Sequence, residues 1–95
     1  MTLEDLLKAK QRILEVANRH GASNVRVFGS VVRGETSSES DVDVLVDLEP
    51  SRSLLDHAAL ILELEELLGC RVDVVTEKGL KARIKDRILK EAVSL

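Results

Sequence analysis

The sequence predicts one α/β domain with helices packed on a small β-sheet, and three observations carry that expectation. Valine recurs at period two in two stretches, Val42 to Val46 and Val72 to Val74, which is the spacing of a strand. Leucine, isoleucine and alanine recur at helical spacing in three others, two of them opened by capping residues and closed by glycine. The chain has 95 residues, the size of a single small domain, so one unit spanning 1–95 is expected.

Taken in order, Thr2 with Asp5 three residues later reads as a capping box, and Leu3, Leu6, Leu7, Ile13, Leu14 and Ala17 supply the apolar side of a first helix that Gly21 ends. Val25 to Phe28 reads as a short strand stopped by Gly29-Ser30, and residues 34–40 have loop composition. Val42, Val44 and Val46 alternate with Asp41, Asp43, Leu45 and Asp47 in a second strand, and Pro50 ends it. Ser53 and Asp56 form another capping box, opening a helix through Leu54, Leu55, Ala58, Ile61, Leu62 and Leu68 that Gly69 closes. Arg71 to Thr76 is the third strand, and Leu80, Ile84, Ile88 and Ala92 mark a last helix. The order is α-β-β-α-β-α, with no internal repeat and no linker.

Charge and composition narrow the functions available. Lysine and arginine number 14 and aspartate and glutamate 17, a net charge of −3, which excludes a generally basic nucleic-acid coat but not a local patch. Phe28 is the one aromatic residue, and a stacking platform for single strands needs several, so direct nucleic-acid binding is not expected. Cys70 has no second cysteine to pair with, and His20 and His57 lie too far apart in the chain to complete a zinc site with it. The opening Met1-Thr2-Leu3-Glu4-Asp5 is acidic where a secretory signal is basic, and no stretch approaches the roughly 18 apolar residues of a membrane span. A cytoplasmic protein without a membrane partner is the expectation.

The chemistry is concentrated in one segment. Gly29-Ser30-Val31-Val32-Arg33-Gly34 follows a predicted strand directly, and Asp41 and Asp43 lie beyond it on the next one. Residues i and i+2 of a strand face the same way with α-carbons about 6.6 Å apart, so both carboxylates are able to face one hard divalent cation or bridge two. Asp73 sits mid-strand with Val72 and Val74 on the opposite face, and joins the cluster if the strands are neighbours. Carboxylates crowded in this way repel one another unless a cation neutralises them, and Mg²⁺ takes a few carboxylates while keeping positions for water and phosphate oxygens. Gly29 lets a ligand approach the backbone, Ser30 offers a hydroxyl and an N–H to a phosphate, and Arg33 adds a charged fork. Together these features suit in-line phosphoryl or nucleotidyl transfer, with one metal at the attacking hydroxyl and another at the leaving pyrophosphate. A Walker loop is excluded because Glu35-Thr36 follows Gly34 where Lys-Ser/Thr is required. An EF-hand is excluded because Leu45 and Val46 stand where an oxygen ligand and a glycine are needed.

Gly29-Ser30, ten intervening residues and Asp41-x-Asp43, with Arg33-Gly34 and Ser40 between, resembles the signature of minimal nucleotidyltransferases in the DNA polymerase β superfamily. The later helix, the Val72-Asp73-Val74-Val75-Thr76 strand and the basic terminal helix are similar in order and spacing, so the resemblance covers nearly the whole chain. Val32 is a small departure, since many members carry Ala there. The resemblance implies a nucleotidyltransferase fold, a short mixed β-sheet of at least three strands packed with three or four helices. It implies that Asp41, Asp43 and Asp73 bind Mg²⁺ and form the catalytic set, and that Gly29 and Ser30 hold the triphosphate of ATP, with Arg33, Gly34 and Ser40 completing the nucleotide site. Minimal members are commonly the antitoxin of a HEPN–MNT toxin–antitoxin pair, transferring AMP from ATP to a tyrosine of the HEPN ribonuclease and silencing it. Superfamily members that modify small molecules or extend nucleic acid carry extra domains for the acceptor, so here the acceptor is expected on a partner protein.

Each residue also has a plainer reading. An isolated Asp-x-Asp on a strand is a solvated face; the Gly-Ser turn before it and Asp73 after it are what make it a site. Asp47 shares that face about 13 Å from Asp43 and reads as exposed. Arg33 also reads as a surface charge, and Ser40 as a brace at the strand entry. His20, His57 and Cys70 read as structural. Lys78, Lys81, Arg83, Lys85, Arg87 and Lys90 read as a solvated helix face before they read as a docking surface. The rival function is a binding antitoxin that neutralises its partner by occlusion, with a vestigial site; nucleotide addition to a small molecule or RNA is weaker, because neither an acceptor pocket nor an aromatic platform is legible.

Overall fold

A computed structural model describes residues 1–35 and 41–95. The predicted first helix is two, α1 (Leu3–Lys8) and α2 (Lys10–Arg19), hinged at Ala9. Thr2 and Asp5 form the reciprocal capping box expected of them, Thr2 accepting from the Asp5 N–H and Asp5 from the Thr2 N–H. The chain then runs through β1 (Ala22–Phe28), a single-turn helix α3 (Ser30–Arg33), β2 (Val42–Leu48), α4 (Leu54–Leu68), β3 (Val72–Thr76), a 3₁₀ turn (Glu77–Gly79), α5 (Ala82–Glu91) and β4 (Val93–Ser94).

The sheet order is β3-β2-β1-β4. β2 and β3 are parallel, joined by α4 as the crossover, while β1 is antiparallel to both β2 and β4. The mixed sheet is therefore as expected, with one strand more than the three legible from periodicity. One face is the core: Val25 and Val27, Val42, Val44 and Val46, and Val72 and Val74 pack against Leu6, Ile13, Val16, Leu60 and Leu64 from the helices. Complete burial of a leucine such as Leu60 contributes roughly 1.5–3 kcal/mol. The other face carries Asp43, Leu45, Asp47 and Asp73, the complementary phase of the same alternation. Leu45 is fully buried there beside Arg26, whose guanidinium reaches Asp47 and Glu77.

α4 shows how local chemistry fixes an element that positions the site. Ser53 caps it by accepting from the Leu55 N–H, Asp56 accepts from the Ser53 N–H, and Gly69 terminates it in the left-handed conformation. The Val72 N–H then donates to Glu65, tying the helix end to the start of β3. Ser53→Ala is expected to lower stability by about 1 kcal/mol, a fall in Tm of roughly 4–8 °C by calorimetry. Hydrogen bonds from backbone N–H groups hold the Asp5 and Asp56 carboxyls below their ordinary range. Both caps are accordingly whole above about pH 4 and are lost as pH falls through the depressed values.

Candidate active site

Parallel register decides the site. Pairing of β2 with β3 sets Val42 beside Val72 and Asp43 directly beside Asp73, on strands about 4.8 Å apart. Asp41 precedes β2 by one residue and shares the phase of Asp43. On its other flank Asp43 pairs with Phe28, the last residue of β1, and Gly29 follows at once. Gly29 has φ 79° and ψ −152°, a conformation open essentially to glycine alone. It is also packed so closely that a Cβ there would run into Asp43 Oδ2. The turn and the acidic strand are thus in direct contact: a side chain at Gly29 would require the Asp43 carboxylate to move.

Electrostatics follow from that crowding. Burial pushes the Asp43 carboxyl above its ordinary value, the charges of Asp73 and then Asp41 push it further, Arg33 opposes, and Glu91 adds to the rise. Among the described residues no three His, Cys, Asp or Glu side chains are drawn in close enough to enclose a cation. Asp43 and Asp73, paired across adjacent strands, are nonetheless of the chemistry that a hard divalent ion takes, and their mutual repulsion is what such an ion would relieve. Because the Asp43 value is raised, the metal-free fold loses stability as pH climbs from the unfolded-state value through the folded one. Asp43→Asn removes that penalty. In chelator at pH 7 the variant is expected to melt above the wild type, and the gain is expected to shrink as pH falls below the ordinary carboxylate range, which calorimetry across pH checks.

Asp41, Asp43, Asp73, Gly29 and Ser30 all fall within this region, Ser30 as the first residue of α3. Gly34 is its left-handed C-cap, exposed and with open space around it. Ser40 lies outside the described residues. Arg33 is half-exposed and bound on both sides: Nε donates to Glu35 at 3.0 Å, and Nη1 pairs with Glu91. Glu91, the last residue of α5, also accepts from the Gly29 N–H at 2.9 Å. Burial works against its ionisation, but the Gly29 N–H and the Arg33 guanidinium outweigh this and hold its carboxyl below the usual range. Glu91 was invisible to motif reading, because its partners lie 58 and 62 residues away in sequence.

The His57 Nε2 lies 2.7 Å from the Val74 carbonyl, to which it donates, and His20 faces Glu63 at 3.6 Å. Burial raises the Cys70 thiol, which keeps it protonated and poorly nucleophilic. Along α5, Arg83, Arg87 and Lys90 are exposed, while Lys85 lies 3.9 Å from Glu77. Lys78 and Lys81 precede the helix rather than belong to it. Among the described residues no helix is long and apolar enough to cross a membrane.

The architecture is that of a small mixed α/β domain, with carboxylates paired across parallel strands beside a glycine turn whose N–H is bound by Glu91. The Nucleotidyltransferase domain profile matches residues 9–95. The Thermococcus cleftensis protein adenylyltransferase MntA is 45% identical over 96% of this chain and 90% of its own length. MJ0435 of Methanocaldococcus jannaschii, assigned as a protein adenylyltransferase, is 43% identical over 90% of this chain and 92% of its own. A solved structure described as a minimal nucleotidyltransferase superposes with a TM-score of 0.89 at 53% identity, covering 100% of this chain and 97% of that one. A toxin–antitoxin crystal structure with AMP-PNP shares the fold at 17% identity, with a TM-score of 0.76 over 90% of this chain and 70% of that one. The chain belongs to the nucleotidyltransferase domain family, and both of these relatives bear the name protein adenylyltransferase.

Proposed function

We propose that this enzyme is the antitoxin of a toxin–antitoxin pair and acts in the cytoplasm, transferring AMP from ATP, with Mg²⁺, to a tyrosine hydroxyl of a HEPN ribonuclease toxin. The observation that carries the reading is the register that sets Asp73 beside Asp43 next to the Gly29–Ser30 turn. A relative bearing the name MntA at 45% identity supports a protein acceptor.

In this reading Asp41, Asp43 and Asp73 would hold Mg²⁺, which when bound supplies charge neutralisation for the phosphates and a more acidic acceptor hydroxyl. The Gly29 N–H and the Ser30 N–H and hydroxyl hold phosphate oxygens, and Arg33 with Gly34 shapes the end of the turn. The acceptor oxygen forms a bond to the α-phosphorus as the bond from that phosphorus to the β-phosphate bridge breaks. Pyrophosphate leaves, and Asp73, on the open side of the pair, takes the acceptor proton.

The test is intact-mass measurement of the cognate toxin after incubation with the chain, ATP and Mg²⁺. A gain of one or more AMP units, together with loss of ribonuclease activity, is expected. Neutralisation at unchanged mass would favour the rival reading, occlusion, for which the outward side of α4 offers an apolar surface: Leu54, Leu55 and Leu62 are 85%, 83% and 66% exposed.

A further inference from the structure

The Gly29 turn already holds an anion, and it comes from the chain itself. Glu91 Oε2 accepts from the Gly29 N–H, and its other oxygen pairs with Arg33. A carboxylate is the nearest side-chain analogue of a phosphate, with charged oxygens accepting from the same donors. Its position is otherwise unfavourable, because Glu91 lies close enough to Asp43 to add to the negative charge felt there. It stays because the N–H and the guanidinium make an anion seat.

The element that delivers it is lightly fastened. α5 has no buried residue; Ile84 and Leu89 remain 41% and 37% exposed. Besides Glu91, Lys85 ties the helix to Glu77, and the two-residue β4 anchors the segment beyond it to β1. Between α5 and the turn lies a cleft of about 220 Å³, with Phe28, Gly29 and Arg33 on one wall and Ile84, Arg87 and Ile88 on the other. Arg87 stands near enough to favour ionisation of Glu91. With Glu91 withdrawn, the Nη1 end of Arg33 would be released toward the cleft beside Arg87, while its Nε stays on Glu35.

We propose that Glu91 is a built-in competitor of the nucleotide: α5 closes the phosphate seat with its own carboxylate, and a substrate phosphate enters only by displacing it. The inference rests on the reading of the Gly29–Ser30 turn as a phosphate seat. Resting occupancy by Glu91 raises the nucleotide concentration needed for half-saturation and keeps Gly29 and Arg33 satisfied in the empty enzyme.

Isothermal titration of the full chain with a non-hydrolysable ATP analogue and Mg²⁺ tests it, alongside Glu91→Ala and the near-isosteric Glu91→Gln. Inorganic tripolyphosphate without metal serves as a second probe. Both variants are expected to bind both probes about tenfold more tightly than the wild type, Ala at least as strongly as Gln. Thermal melting of each variant confirms that a folded protein is being titrated; Glu91→Gln keeps the acceptor oxygen for Gly29 and guards against loss of the helix. Equal or weaker binding by the variants, with wild-type binding of the Mg²⁺–nucleotide intact and abolished by Asp41→Asn with Asp43→Asn, would overturn the competitor role and leave the site reading standing. Failure of wild type and variants alike to bind either probe would overturn both.

Discussion

Replacing Asp41 and Asp43 together by Asn is expected to lower AMP transfer to the partner protein by about 10³-fold or more while the domain stays folded. The two parts of that expectation have different origins. Both side chains lie on the face of β2 opposite the valines that make the core, and Asn has nearly the volume of Asp, so the change opens no cavity. In the metal-free protein the change relieves repulsion, since Asp43 is raised by burial and by its acidic neighbours. Activity falls because an amide is a poor ligand for a hard cation and brings no charge to oppose it. Rate measurement with labelled ATP, paired with calorimetry, separates the two: lost transfer at equal or higher Tm fits the account, and unchanged transfer contradicts the assignment of these residues.

Gly29→Ala is the substitution expected to damage the fold most from the site outward, by about 2–4 kcal/mol. Two causes add. The backbone at φ 79° and ψ −152° is strained for any residue with a Cβ, and that Cβ would collide with the Asp43 carboxylate. Relief requires Asp43 to turn away or the turn to open, and either one separates the phosphate seat from the acidic pair. Gly34→Ala is the internal comparison: φ is 73°, but a Cβ there meets nothing, so only the backbone penalty of about 1 kcal/mol applies. Chemical denaturation of both variants should rank them in that order. Equal destabilisation would mean that the close approach to Asp43 carries no energy.

Elements defined by local chemistry were legible in the sequence. The Thr2–Asp5 and Ser53–Asp56 capping boxes, the valine alternation and the glycine that closes α4 each act over a few residues, and each is seen in the structure. The carboxylate alignment was legible as a conditional, since Asp73 could join Asp43 only if the strands were neighbours. Their parallel register supplies that condition. Other features were hidden because their causes are remote. β4 is two residues long and has no period to read, and α3 is one turn held between two glycines. The break at Ala9 has neither Gly nor Pro to mark it. Arg26 sits mid-strand where a solvated residue would be expected, and is buried because Asp47 and Glu77 come to it from 21 and 51 residues away. Glu91 escaped for the same reason, as one charge among many on a helix that reads as basic.

The most direct measurement of the central claim is anomalous diffraction from crystals of the chain grown with Mn²⁺ and a non-hydrolysable ATP analogue. The account predicts manganese bound by Asp41, Asp43 and Asp73 together, with phosphate oxygens on the Gly29 and Ser30 N–H groups and Glu91 withdrawn from the turn. Manganese bound elsewhere, or an Asp73 carboxylate directed away from the other two with nucleotide present, would contradict it.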